Sequence, residues 1–326
     1  MKAELYNPLV SVVIPVYNGS NYLKQAIESA LNQTYKNIEI LVINDGSQDD
    51  GKTEKIALGY GERIRYFSKK NGGSSSALNV GIKNMKGEWF SWLSHDDLYY
   101  TNKIQIQIDY IRQLNINSDD VYRHLFFADS DFIDKDGKFI RVISDKKKKK
   151  MQERVDKIKD NAYLVAEPTI YNFYGCTCLI HKSILEKVGG FDETFRLAND
   201  LELWNRLYCE DTCLHYIPQT IVSNRIHSAQ ISRSIGFSYH NSEQDKIWND
   251  KLNWLIKRCP QNYRIFYLFG KNALLKTRYK EGKIAFKKAG NIKPAKKPML
   301  FIQQILFMAY SYMKTCAKNI YMKIKI

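Results

Sequence analysis

Residues 89–97 read Trp-Phe-Ser-Trp-Leu-Ser-His-Asp-Asp (WFSWLSHDD), an apolar run that stops on two adjacent carboxylates, Asp96 and Asp97. The first five residues predict a buried strand. Ligands of an open α/β sheet sit outside the carboxyl ends of its strands, so a charged site is expected where this run ends. Two neighbouring carboxylates repel unless protons or a cation lie between them, and hard oxygen donors suit Mg²⁺ or Mn²⁺. Taken alone, the pair also reads as a strand followed by a solvated turn, since Asp is common in turns.

The preceding residues build a sheet for that strand. Residues 9–16 (LVSVVIPV) form a β-branched run, the pattern of a buried parallel strand, and Tyr17-Asn18-Gly19-Ser20 breaks it. Residues 22–32 have helical spacing. Residues 38–43 predict a second strand, closed by Asn44-Asp45-Gly46-Ser47, and residues 52–60 and 64–67 a short helix and a third strand. Asn71-Gly72-Gly73-Ser74 leads into a helix over 75–85, with Ser74 or Ser75 as its N-cap. Alternating strands and helices predict an α/β fold with a doubly wound, Rossmann-like, mostly parallel sheet. Beyond the acid pair, a helix is expected over 101–114 and a strand over 125–128, before Asp129-Ser130-Asp131. Residues 145–159, with Lys146–Lys150, read as a solvated loop or helix end. A strand-like edge is expected over 173–180, and helices over 181–188 and 201–208. From about 240 the chain is helical and basic.

The net charge of +16 suggests nucleic acid until it is located. Residues 251–326 hold 18 Lys/Arg and one acid, Glu281, whereas residues 1–250 carry 32 basic and 33 acidic side chains. The basicity therefore belongs to the tail, where apolar residues interleave with the lysines, and nucleic acid is not the expected partner. The six cysteines lack the spacing of a zinc site and do not suggest a disulfide framework in a chain of this size. No signal peptide and no run of about 18 apolar residues is visible, so a cytoplasmic protein is expected. Residues 299–313 (MLFIQQILFMAYSYM) are too short to span a membrane. Flanked by Lys296, Lys297 and Lys314, with Lys318, Lys323 and Lys325 beyond, they suit the surface of an anionic leaflet. A helix packed on the rest of the chain and a dimerising element are the alternatives, and the oligomeric state is left open.

Polar clusters fall at three strand ends: Tyr17-Asn18, Asp45-Gly46-Ser47 and His95-Asp96-Asp97. A carboxylate beside a glycine can accept hydrogen bonds from a base or a ribose hydroxyl. Gly72 and Gly73 allow close backbone approach, and the helix N-terminus after them favours an anionic phosphate. Neither a dinucleotide fingerprint nor a P-loop is present.

The segments VSVVIPVYNG, VINDGSQDD, NGGSSSALNVGI, WLSHDD, GGFDE and NDLELW, in this order over roughly residues 8–230, resemble family-2 glycosyltransferases of the GT-A fold. The resemblance implies transfer of a sugar, with inversion, from a nucleotide-sugar donor, usually UDP-linked, to a glycan or lipid-linked glycan acceptor, as in bacterial surface polysaccharide synthesis. It implies a glycosyltransferase domain over 1–235, with a nucleotide-binding half to about residue 100 and an acceptor half after it. A basic helical extension over 236–326 follows, placing the enzyme on the inner face of the plasma membrane.

Residue by residue, Pro15, Tyr17 and Asn18 match the first nucleotide-binding loop. Asp45 matches the acid that reads uracil and Gly46 the turn after it; Asn71 and Gly72 match the loop passing the nucleotide. Asp96 and Asp97 match the D-x-D region that holds Mn²⁺ or Mg²⁺ on the diphosphate, Asp96 also touching the nucleotide. Asp200 matches the general base, and His227 a late histidine that approaches the metal. Gly175, Cys176 and Asn199 fall on the acceptor side, within a segment expected over about 145–180 and at the base motif. From their local sequence alone, Asp45 reads also as a turn residue, Asp200 as a helix N-cap and His227 as a surface histidine. Three positions depart from the pattern: Ser94 stands where the first acid of D-x-D is usual, Leu78 where an arginine is usual, and Asn199 where a glutamate precedes the base. These departures keep a catalytically degenerate, membrane-associated module as an alternative. A sugar nucleotidyltransferase is the other, although it would carry a glycine-rich phosphate loop at the first strand end.

Overall fold

The computed structural model describes residues 6–114, 116, 120–158, 160–167, 173–210, 212–228, 230 and 237–324. These form two units, one of Met1–Lys157 with Asn172–Gly236, the other of Ile158–Tyr171 with Phe237–Ile326.

The first unit is built on β1 (Val10–Val16), in which every residue is buried. Such a strand needs neighbours on both edges and helices on both faces. Its neighbours are β2 (Ile38–Asn44) and β4 (Trp89–Trp92), both parallel to it, with β3 (Arg65–Ser68) outside β2. Val16 is in register with Asn44, and Val13 with Trp92. Tyr17-Asn18, Asp45-Gly46 and the residues after Trp92 therefore leave the sheet on one rim. Helices α1 (Leu23–Leu31), α2 (Lys52–Leu58) and α3 (Ser74–Asn84) connect these strands. Leu23, Ala26, Ile27 and Ala30 give α1 one buried face.

Beyond β4 the sheet changes character. Its order is β3-β2-β1-β4, then β8 (Leu179–His181), β6 (His124–Ile133), β9 (Cys213–Arg225) and β5 (Leu98–Tyr99), with β7 (Phe139–Arg141) beside β6. Strand β8 runs antiparallel to β4 and to β6, β9 runs parallel to β6, and β5 antiparallel to β9. The expected mostly parallel sheet thus describes the half before residue 97, and the remainder is mixed. Helices α4 (Lys103–Gln113), α5 (Asp145–Val155), α7 (Lys182–Val188) and α8 (Asn199–Cys209) belong to this half.

Several local expectations are corrected. Asp129, Ser130 and Asp131 do not follow the strand but lie within β6. The Tyr216 hydroxyl donates to Asp129 and the Tyr100 hydroxyl, at 2.7 Å, to Asp131. Residues 145–155 are a helix. The N-cap of α3 is Gly73, because both candidate serines serve tertiary partners. Ser75 Oγ donates to the Phe195 carbonyl at 3.1 Å, and Ser74 Oγ accepts from Asn199 at 3.2 Å.

The second unit is helical: α6 (Asn161–Ala166), α9 (Phe237–Arg258), α10 (Tyr263–Leu275), α11 (Tyr279–Ile292) and α12 (Lys297–Ile324). Helices α10 and α11 meet at Gly270 and Gly282. A Cβ at Gly270 would strike the Phe286 ring at 2.4 Å, and one at Gly282 the Leu274 side chain at 2.6 Å. Residues 160–167, expected within a domain over 1–235, go with these helices instead. Ala162, Leu164 and Val165 are buried, and Asn272 Nδ2 donates to the Ala166 carbonyl at 3.0 Å. Residues 231–236, where the expected boundary falls, lie outside the described residues, as do Lys325 and positions 159 and 168–172 of the expected acceptor segment.

Candidate active site

The β1 end supplies Pro15, inside the strand opposite Ile43, and the exposed Tyr17 after it. Asn18 follows in a left-handed conformation, φ 49°. Its backbone N–H donates to Ser47 Oγ at 2.9 Å, and its side-chain oxygen accepts from Gln48 N at 2.7 Å. The first two loops are thereby stitched together.

Asp45 is buried at the end of β2 and fully engaged. Lys69 Nζ, at 2.8 Å, and Gly72 N, at 3.0 Å, donate to one carboxylate oxygen, and Gly73 N, at 2.7 Å, to the other. Asn71 Nδ2 closes the loop on the Asp45 carbonyl at 3.0 Å. Here Gly46 is required twice: its φ is +71°, and a Cβ would stand 2.7 Å from Asn71 N. The amides of Gly72 and Gly73, two glycines expected to allow close backbone approach to a ligand, are held by Asp45. Lys69, which the sequence reading did not single out, neutralises that carboxylate.

At the end of β4 the two acids diverge. Asp97 is fully buried and points inward. The Tyr174 hydroxyl and the Cys176 thiol, at 3.4 Å, donate to one oxygen, and Arg225 N, at 2.9 Å, to the other. Burial, reinforced by the neighbouring Asp96 charge, pushes its carboxyl up to about 7. Asp96 turns toward His227 instead, whose Nε2 lies 2.9 Å from its Oδ2 across 131 residues of chain. Arg225 braces this corner from below: its Nε donates to the Asp96 carbonyl at 2.8 Å, and its guanidinium lies 4.5 Å from the Tyr22 ring centre. The Tyr22 ring in turn packs on His227 at 5.1 Å. His95 is packed against Gly19, where a Cβ would meet its ring at 2.5 Å, and burial holds its pKa below the ordinary value.

Gly175 and Cys176, expected to face an acceptor, form the floor beneath the acids. A Cβ on Gly175 would enter the Trp92 ring at 2.6 Å. Cys176 is buried, its sulfur 3.3 Å from both the backbone nitrogen and the hydroxyl of Ser94. Small residues are needed there because indole, thiol and carboxylate share one space. Burial raises the Cys176 thiol well above its usual value, so the thiol remains a neutral donor to Asp97.

Asp200 lies in the first turn of α8, whose N-cap is Ala198 rather than Asp200 itself. The start of this helix abuts the Gly72–Ser74 loop: Arg196 Nη1 donates to the Gly72 carbonyl at 2.7 Å, and Asn199 to Ser74. Burial pushes the Asp200 carboxyl up to about 6, partly offset by the Leu201 N–H donated to it at 2.7 Å. The arrangement can hold a proton acceptor poised near neutrality beside a polar rim.

Residues 11–189 match the model of glycosyl transferase family 2. The chain belongs to this family. It is 42% identical over 259 residues to an uncharacterised glycosyltransferase of Rickettsia typhi, covering 79% of this chain and 76% of that protein. It is 43% identical over 259 residues to one of Rickettsia bellii, covering 78% of this chain but 35% of that protein. With glycosyltransferase GlyA of Streptococcus pneumoniae it shares 29% identity over 239 residues, 70% of this chain and 32% of that protein. The crystal structure of S. aureus TarS 1-349 in complex with UDP-GlcNAc superimposes with a TM-score of 0.61 at 13% identity, covering 93% of this chain and 89% of that one. This likeness establishes the GT-A-like fold expected for a family-2 glycosyltransferase, here with its mixed sheet and C-terminal helices.

Proposed function

We propose that this family-2 enzyme transfers a sugar, with inversion, from a UDP-sugar to a hydroxyl of a growing glycan or lipid-linked glycan in bacterial surface polysaccharide synthesis. The observation that carries the reading is Asp200, a half-buried carboxyl raised to about 6 at the head of α8, beside the loop that holds Asp45. The UDP-GlcNAc bound by the TarS fold neighbour supports the donor class.

Asp45, Asn18 and the Asn71–Gly72 loop frame the nucleotide, and Asp200 takes the proton of the acceptor hydroxyl as its oxygen attacks the anomeric carbon. The bond from that carbon to the diphosphate oxygen breaks on the opposite face, and UDP leaves. General-base help of this kind contributes about 10²–10⁴-fold.

The Asp96–His227 corner fits a divalent ion. Asp96 and His227 would hold it: a carboxylate oxygen and an imidazole nitrogen brought together at the strand end are both donors that Mn²⁺ or Mg²⁺ accepts. Among the described residues no three His, Cys, Asp or Glu side chains form a metal cage. The remaining positions would fall to water and the diphosphate, as is usual for Mg²⁺. Mn²⁺ or Mg²⁺ bound there supplies Lewis-acid stabilisation of the departing diphosphate. Asp97, turned inward, positions Arg225 and the acid turn. The neutral Ser94 leaves Asp96 and His227 as the protein's contribution to the metal.

The basic C-terminal helix holds the enzyme on an anionic membrane face. Phe301, Ile302, Ile305, Leu306, Tyr312 and Met313 of α12 are exposed while Leu300 packs inward, and no helix among the described residues is long and apolar enough to cross a membrane. UDP release from a panel of UDP-sugars, with and without Mn²⁺, tests the transfer. Metal-dependent release abolished by Asp200→Asn is expected, and no release from any donor would favour the degenerate module.

A further inference from the structure

The hairpin of β6 with β7 (Phe139–Arg141), together with α5, carries a surface that the transfer reading does not use. Phe139, Ile140 and Val142 are 58%, 47% and 50% exposed, on and just after the edge strand β7. Helix α5 follows directly. Its inner face is Lys148, Met151, Gln152 and Val155, all half-buried, with Lys148 Nζ 3.5 Å from Thr220 Oγ1 of β9. Its outer face is Lys146, Lys147, Lys149 and Lys150, all exposed. Residues 138–150 contain seven Lys/Arg and one acid, Asp145.

This arrangement works against the isolated chain. Cations in the first turns of a helix oppose its dipole, and like charges three and four apart repel. Exposed apolar residues on an edge strand invite association. Among the described residues no carboxylate pairs with the four outer lysines. A stretch that breaks local rules without internal compensation is expected to be functional.

We propose that this surface docks the catalytic unit on an anionic lipid bilayer. Phe139, Ile140 and Val142 enter the boundary between headgroups and acyl chains, and the four lysines lie over the negative headgroups. A soluble polyanion would engage the lysines and leave the three apolar side chains in water, so the bilayer is the better match. The hairpin is tied to the site: Arg225 Nη1 donates to the carbonyls of Asp134 and Lys135 at 3.3 and 3.2 Å, while its Nε holds Asp96. Docking therefore fixes the acid corner relative to the membrane surface. The value of that for a lipid-linked acceptor rests on the proposed transfer; the docking itself does not, and it is separate from the contact assigned to α12.

The test uses the full chain and vesicles of phosphatidylcholine with and without phosphatidylglycerol. One variant carries Lys146→Gln, Lys147→Gln, Lys149→Gln and Lys150→Gln; another carries Phe139→Ser, Ile140→Ser and Val142→Ser. Each is expected to weaken partition onto the anionic vesicles by about tenfold or more, with UDP binding in solution unchanged. Wild-type partition in both, or a loss in the lysine variant alone matched by lost binding to polyphosphate, overturns the proposal. Phe139→Trp supplies a second readout, local to the hairpin and independent of any contribution from α12. Its added fluorescence should shift blue and be quenched by brominated lipid, and an unchanged spectrum overturns the proposal whatever α12 does. Loss of UDP release with docking intact would count against the transfer reading alone.

Discussion

Asp200 must be ionised to accept a proton, yet its surroundings favour the neutral form. Turnover is expected to fall about tenfold per pH unit below about 6 and to level off above it, as a pH–rate profile of UDP release would record. The same shift sets the sign for stability. A carboxyl with a folded pKa near 6, against about 3.9 unfolded, favours the fold at low pH and loses that contribution as pH rises through 6. Asp200→Asn is therefore expected to lower transfer by about 10²–10⁴-fold while leaving thermal stability at pH 8 equal or higher by on the order of 1 kcal/mol. Melting at pH 5 and 8 beside donor titration checks both halves. Tyr174 presents the opposite case, since its hydroxyl is a donor to the buried Asp97. Tyr174→Phe leaves that carboxyl short of a partner and should cost about 1–3 kcal/mol in urea unfolding.

At the scale of elements, Gly81 shows which of two effects wins. Replacing a mid-helix glycine with alanine ordinarily gains about 1 kcal/mol. A Cβ there, however, would stand 2.3 Å from Val13 Cγ1 on the central strand, and overpacking a close-packed core costs about 1–3 kcal/mol. Gly81→Ala should therefore be net destabilising, seen as a lower urea midpoint at unchanged slope. The first four strands were legible because their β-branched runs end in polar turns. Strand β9 was not, because Cys213–Arg225 mixes Pro218, Gln219 and Thr220 into its middle, and its register with β6 shifts there. With it went Arg225, which the sequence did not single out, although its side chain reaches Gln25, Asp96, Asp134 and Lys135. The capping role expected of Ser74 or Ser75 failed for a related reason. Local preference names a cap, and tertiary partners at Phe195 and Asn199 outcompeted it.

For the molecule as a whole, charge is divided unequally: residues 1–250 are nearly neutral and residues 251–326 strongly basic. Deleting residues 297–326 should reduce flotation with anionic liposomes and leave UDP release from a soluble donor intact, because Asp45, Asp96 and Asp200 all belong to the other unit. Unchanged flotation would remove α12 as an anchor. Chelation with EDTA should abolish release and Mn²⁺ restore it, with His227→Ala raising the Mn²⁺ needed by about 10–100-fold.

By itself the sequence determined the alternation of strands and helices, the rim on which their polar ends emerge, and the motif order that marks a family-2 glycosyltransferase. All of these are local or periodic properties of the chain. The tertiary structure alone decided which of the two adjacent acids turns outward, that Asp96 meets His227, that Lys69 and two glycine amides occupy Asp45, and that Cys176 is floor rather than surface. Each of those depends on desolvation and on contacts between residues 24 to 131 positions apart, which no local pattern encodes.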